Sequence, residues 1–142
     1  MLPLLARFET IKIGFNLEHL AVLRGCTRLR HLSVQGYRDE DSTIQPFIDA
    51  LSAFVNLTSL SIEVVDGFYE REMNITPLET LVHLTKFELS RVNIGSTFSP
   101  YLPQLTVLKT SYARLRDITV LSTMTGLNNL EISNTMIVNI TA

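Results

Sequence analysis

One pattern of apolar positions runs through the chain six times. In the form apolar-x-x-apolar-x-x-Leu-x-x-apolar-x-apolar, it reads Leu2, Leu5, Phe8, Ile11 and Ile13, then Leu23, Cys26, Leu29, Leu32 and Val34. It returns as Leu51, Phe54, Leu57, Leu60 and Ile62, and as Leu78, Leu81, Leu84, Phe87 and Leu89. The fifth copy is degenerate, with Ser99, Leu102, Leu105, Leu108 and Thr110; the sixth, Leu121, Met124, Leu127, Leu130 and Ile132, is wholly apolar again. The alternation that closes each copy is that of a short strand with one buried face. The spacing of three ahead of it suits a helical or 3₁₀ turn leading into that strand. A unit this small cannot cover its own apolar side, so successive units must stack and share one core.

Counted from Phe8, Leu29, Leu57, Leu84, Leu105 and Leu127, the period takes two values, about 21–22 and about 27–28 residues. Two connecting segments predict true helices. Ser42-Thr43-Ile44-Gln45 reads as a capping box ahead of Ile44, Phe47, Ile48, Leu51, Phe54 and Val55 at helical spacing. Pro46 falls in the first turn of that helix, where its missing N–H costs nothing. Thr76-Pro77-Leu78-Glu79 reads as a second capping box, with proline at the first helical position. The shorter units have room for a turn or two.

The segments LRGCTRLRHLSV (23–34), LTKFELSRVNI (84–94) and LNNLEISNTMIVNI (127–140) resemble leucine-rich repeat proteins, and the resemblance extends over essentially all 142 residues. It implies an α/β fold: a solenoid, or horseshoe, with a parallel concave sheet of about six short strands and helices or 3₁₀ turns on the convex side. It also implies a non-catalytic role in binding another protein, whose identity the sequence does not carry. The shorter copies resemble those of bacterial internalins and phosphatase regulators, the longer ones those of ribonuclease inhibitor and F-box substrate receptors. The usual asparagine, eight residues after the first strand leucine, is mostly absent: the position holds Asn16, Tyr37, Val65, Val92, Ala113 and Thr135. Only Asn16 matches, and Thr135 imitates it in part. Residues 1–142 are expected to form a single domain of six repeats. Neither end shows a polar cap, and RLRDITVLSTM (114–124) is echoed by a broken-off MIVNITA (136–142), so a piece of a longer protein is expected.

Composition narrows the partner. A net charge of −2 argues against nucleic acid or an anionic membrane, which require a basic field. No apolar run approaches the roughly 18 residues of a membrane span. The lone Cys26 can form no internal disulfide and leans toward a reducing, cytoplasmic setting. No phosphate loop, G-x-S-x-G, H-E-x-x-H or metal-spaced cysteine pair is present, and His19, His31 and His83 fall in separate repeats. The expectation is a chain with no catalytic residues, metal or cofactor. Three sequons occur, at Asn56, Asn74 and Asn139, but the first is generated by the repeat itself.

Two surfaces compete as the binding site. On the concave face the central column reads Lys12, Ser33, Ser61, Glu88, Lys109 and Glu131, polar and self-neutralising, without an aromatic residue. The rim where strands exit is richer. Its loops offer Tyr37, Arg38, Phe68, Tyr69 and Arg71, and Arg91, Tyr112, Arg114 and Arg116 continue the same line. Tyr37 and Phe68 are equally suited to turn inward. Tyr and Arg are the side chains that dominate binding hot spots, and loops on a rigid scaffold are where function concentrates. The resemblance admits an intracellular scaffold, adaptor or substrate receptor and, alternatively, a surface or secreted recognition protein of internalin type.

If the strand register is right, Leu60→Ala should destabilise the chain by roughly 2–5 kcal/mol. Ser61→Ala should stay within about 0.5 kcal/mol. Chemical denaturation checks this, and equal shifts of the midpoint would refute the register.

Overall fold

The computed structural model describes residues 2–37, 44–65, 72–95 and 101–139. The chain opens with a helical turn, α1 (Leu2–Leu5), then β1 (Thr10–Ile13), α2 (Leu17–Leu23) and β2 (His31–Tyr37). Next come α3 (Ile44–Leu51), β3 (Ser59–Val65) and a 3₁₀ turn at Thr76–Thr80. The chain continues through β4 (Lys86–Ser90), β5 (Asn93–Gly95), β6 (Val107–Ser111) and β7 (Arg114–Asp117). A second 3₁₀ turn at Thr119–Thr123 precedes β8 (Asn129–Ser133) and β9 (Met136–Asn139). Strands β1, β2, β3, β4, β6 and β8 form one parallel sheet in that order. The six predicted strands are all there, paired in sequence order.

The motif sets the register. Leu32 lies opposite Leu60, Leu60 opposite Phe87, Phe87 opposite Leu108, and Leu108 opposite Leu130. The second inward column runs Val34, Ile62, Leu89, Thr110 and Ile132 in the same way. The leucine before each of the middle strands, Leu29, Leu57, Leu84 and Leu105, is buried, as are Phe47, Ile48, Leu51 and Leu78 from the convex side. A slip of one residue would turn each of these columns out to water, so the apolar spacing holds the register.

A second column that the motif does not mark ties the units together. The carbonyl of Arg30 accepts both Thr58 N–H (2.8 Å) and Ser59 N–H (3.0 Å). The Thr58 carbonyl does the same for Thr85 and Lys86, the Thr85 carbonyl for Thr106 and Val107, and the Thr106 carbonyl for Asn128 and Asn129. Threonine hydroxyls join in: Thr58 Oγ1 donates to Arg30 O (3.2 Å), Thr85 Oγ1 to Thr58 O (3.2 Å) and Thr106 Oγ1 to Thr85 O (3.1 Å). Backbone groups at a strand entrance must be satisfied, and at these three junctions one carbonyl serves three donors.

Several expectations are corrected. Asn16 is not part of an asparagine ladder. Its Oδ1 accepts from Glu18 N–H (2.8 Å) and His19 N–H (3.1 Å) and so caps α2. Thr76-Pro77-Leu78-Glu79 makes a 3₁₀ turn without a side-chain cap, not an α-helix. The Glu79 carboxylate accepts from Tyr101 N–H (2.8 Å) in the next unit, and the Thr76 N–H is taken by Asn74 (3.0 Å). Helix α3 forms as expected with Phe47, Ile48 and Leu51 buried, but Val55, beyond its end, is exposed; Ser42 and Thr43 of its capping box lie outside the described residues. At the edges the motif is satisfied less well: Phe8 is 40% exposed and Leu130 46%. Among the described residues β8 pairs only with β6, so Leu130 has a packed neighbour on one side alone.

Where the asparagine is missing, backbone pairing replaces it. After β4, β6 and β8 the chain makes a turn at Arg91 (φ 58°), Tyr112 (φ 49°) and Asn134 (φ 48°) and enters β5, β7 and β9, a second parallel sheet. Val92 and Ala113 point inward and are buried. Their carbonyls accept Arg114 N–H (2.9 Å) and Met136 N–H (2.9 Å), while Asn93 O accepts Met73 N–H (2.7 Å). Thr135 takes up part of the asparagine's task, its hydroxyl donating to Ser133 O (3.1 Å) and lying 3.3 Å from that of Thr110.

Thr58→Val removes one hydroxyl from the strand-entrance column and should cost about 1 kcal/mol, whereas Thr58→Ser should recover most of the loss. Urea denaturation of the two variants distinguishes the hydrogen bond from methyl packing: a larger loss in Thr58→Ser than in Thr58→Val would assign the effect to the methyl group.

Candidate interaction surface

The outward face of the large sheet has the predicted central column. Lys12 lies opposite Ser33, Ser33 opposite Ser61, Ser61 opposite Glu88, Glu88 opposite Lys109 and Lys109 opposite Glu131. Its groups largely engage one another. Lys86 pairs with Glu88 at 3.2 Å and Lys109 with Glu131 at 3.4 Å, so Glu88 is held by its own strand and not by Lys109. Gln35 donates to Glu63 (2.8 Å), and Ser111 to Ser90 (3.1 Å). A shallow hollow of about 340 Å³ lies over Glu63, Glu88, Lys109 and Glu131, floored by Ser61, Ser90 and Ser111. Exposed ion pairs of this kind add little stability, but they leave few charges unsatisfied for a ligand to claim.

The strand-exit rim has different chemistry. Of the residues singled out from the sequence, Arg38, Phe68, Tyr69 and Arg71 lie outside the described residues, and Tyr37 is placed only as the last residue of β2. Arg91 and Arg114 are described, both exposed. Arg91 N–H donates to Ser111 O (3.0 Å), which sets it beside Tyr112, and the Arg91 guanidinium sits 5.7 Å from the centre of the Tyr112 ring. Tyr112 N–H donates to Ser133 O (3.1 Å), which sets it beside Asn134. One step further on, Arg114 lies opposite Met136 across β7 and β9. Tyr112 is 49% exposed and Met136 57%. Arg91, Tyr112, Asn134, Arg114 and Met136 therefore form one exposed surface built from three consecutive units. Among the described residues neither Arg91 nor Arg114 makes an ion pair. Asn134 and Met136 were not singled out from the sequence. The recurrence of Ser90-Arg91, Ser111-Tyr112 and Ser133-Asn134 after each short strand would have found Asn134, whereas no spacing marks Met136.

The backbone at this rim is strained. A side chain at positive φ brings its Cβ close to the carbonyl that follows, at a cost on the order of 1 kcal/mol, which glycine escapes and asparagine tolerates. Asn134 is the expected kind of residue; Arg91 and Tyr112 are not. The contact of the guanidinium with the ring, worth about 0.5–1 kcal/mol at an exposed site, returns part of that cost.

Chemistry of other kinds has little footing. Cys26 is 5% exposed, and burial pushes its thiol pKa up, which keeps it protonated and unreactive. Among the described residues no group of three His, Cys, Asp or Glu side chains could hold a metal ion, and no helix is long and apolar enough to cross a membrane.

No protein-family model matches the sequence, and no curated protein matches it. Solved structures do. An internalin from Listeria monocytogenes superposes with a TM-score of 0.64 at 23% identity, covering 85% of this chain and 33% of the internalin. Internalin C2 from the same bacterium gives a TM-score of 0.61 at 18% identity, covering 85% of this chain and 49% of its own. The chain thus spans about a third of one relative and about half of the other. With the parallel sheet, the in-register leucine columns and this likeness together, the chain has the leucine-rich-repeat fold, a solenoid with a six-stranded parallel sheet on one side.

Proposed function

We propose that the chain is a non-catalytic protein-interaction module that binds its partner through the strand-exit rim, with Arg91, Tyr112 and Arg114 at the described part of the contact. The observation that carries this reading is the placement of Arg91 and Tyr112 at positive φ. Strained backbone retained at a surface position is a mark of function, and here glycine or asparagine would serve the turn better. The exposed side chains are also of the right kinds, since Arg, Tyr and Met are enriched in interface cores. Tyr37, Arg38, Phe68, Tyr69 and Arg71 extend the proposal along the same rim into the longer units.

An intracellular adaptor or scaffold is the favoured form of this module. Two of the three sequons have residues with structural duties: Leu57 is fully buried and the Thr58 hydroxyl serves the Arg30 carbonyl, while the Asn74 side chain accepts from Thr76 N–H. The lone Cys26, which has no partner for an internal disulfide, leans toward a reducing compartment.

Stability and binding should respond in opposite senses at this rim. Tyr112→Gly should leave stability unchanged or raise it by up to about 1 kcal/mol, because it relieves the left-handed backbone. The same change, or Arg91→Ala with Arg114→Ala, should weaken partner binding by about 2 kcal/mol or more. Glu88→Lys on the sheet face should matter less. Thermal melts combined with pull-downs from extract of the source cells, using wild type and these variants, provide the test. Binding kept in the rim variants and lost in Glu88→Lys would reverse the assignment.

A further inference from the structure

We infer that the rim takes an acidic partner: a carboxylate-bearing stretch of another protein that lies against Tyr112 and sets its acidic side chains on Arg91 and Arg114. This rests on the rim as binding surface and adds the chemistry of what binds there. The two arginines are close. Arg114 N–H donates to the carbonyl of Val92, the residue after Arg91, at 2.9 Å. By strand spacing their Cα atoms are then within about 8 Å, well inside the reach of two guanidiniums to one acidic segment. Like charges so near each other repel, and a carboxylate between them converts that repulsion into two charge-assisted hydrogen bonds.

Several other cations among the described residues are already engaged. The chain carries a net charge of −2. Lys86 and Lys109 are held by Glu88 and Glu131, and Arg28 by Glu9 at 2.9 Å. Arg30 donates to the carbonyls of Thr27 and Leu29. Among the described residues Lys12, Arg24 and Arg7, which lies over Phe8, are without an ion pair, as are Arg114 and Arg91, which meets the face of Tyr112. What distinguishes Arg91 and Arg114 is that the Arg114 N–H bond to Val92 O brings them together from neighbouring units. Guanidinium is suited to the task, since its planar fork matches a carboxylate in two parallel bonds and it sheds water more readily than an ammonium does. Tyr112, against Arg91, and Met136, opposite Arg114, are exposed and give the aliphatic part of a glutamate side chain something to lie on.

The experiment is a titration of the ¹⁵N-labelled chain with capped octaglutamate, with octaglutamine and octalysine as comparisons, followed by amide and arginine Nε–H resonances. Octaglutamate should give saturable shifts centred on Arg91, Tyr112 and Arg114, weakening about tenfold or more between low salt and about 0.3 M salt. Arg91→Glu with Arg114→Glu should abolish them, while Arg24→Glu with Arg28→Glu should not; the spectra themselves report whether each variant is folded. Equal binding of octaglutamine, shifts centred elsewhere, the same loss in both double variants, or no saturable shift would each overturn the inference. If octaglutamate fails while the natural partner still depends on the rim residues in pull-downs, the acidic partner falls and the rim stands. If the pull-down ignores the rim as well, both fall.

Discussion

Everything in this molecule depends on one in-register contact repeated between neighbouring units: the carbonyl that precedes each strand. Those ahead of β1, β2, β3, β4 and β6 each receive two amide protons from the next unit, and in three cases a threonine hydroxyl as well. That contact fixes the height of each strand against the one before. Once heights are fixed, leucine falls on leucine through the core, and the outward residues fall into straight columns. In a solenoid each unit touches only its neighbours, so an error at one junction would shift every later column. Parallel strands cannot correct register through a tight turn, which leaves the apolar motif and this hydrogen-bonded column to do so.

The same constraint explains how a rim surface is built. Because strands end level, the turns after β4, β6 and β8 also end level, and Arg91, Tyr112 and Asn134 come side by side. The left-handed turn aims these side chains outward while Val92 and Ala113 go in. A tight turn of this kind needs a residue at positive φ, and the chain fills two of the three positions with residues that fit it poorly. Stability alone would have chosen otherwise, which is the trade-off expected where activity and folding compete for one position. The sheet face, large and central as it is, shows no such conflict; Lys86 is matched to Glu88, Lys109 to Glu131, Gln35 to Glu63 and Ser111 to Ser90.

The fold is legible in the sequence because its signal is periodic. Six strands, their order and their inward columns follow from leucine spacing, since burial on one face demands it. Helix α3 is legible for the same reason. Local chemistry, which has no period, is harder to read. Thr76-Pro77-Leu78-Glu79 has the letters of a capping box, yet too few residues follow before the next buried leucine for an α-helix, and Glu79 finds a better partner in Tyr101 N–H. Asn16 matches a ladder position by count but serves the helix that begins beside it. The second sheet leaves no trace at all, because its strands are three or four residues long and made by backbone bonds indifferent to side chain. Of the site, Arg91 and Arg114 can be found as residue types; that Tyr112 lies against Arg91 at positive φ belongs to the backbone, which no residue count reveals.

A rim that serves as a binding surface has to be as rigid as the stack that carries it. Residue-resolved hydrogen exchange measures this directly. The amides of Arg91 and Tyr112, which donate to Ser111 and Ser133, should exchange as slowly as those of Thr85 and Thr106, which donate to the strand-entrance carbonyls. Fast exchange at Arg91 and Tyr112 beside slow exchange at Thr85 and Thr106 would contradict it, and would make the rim a loose edge on an ordered sheet.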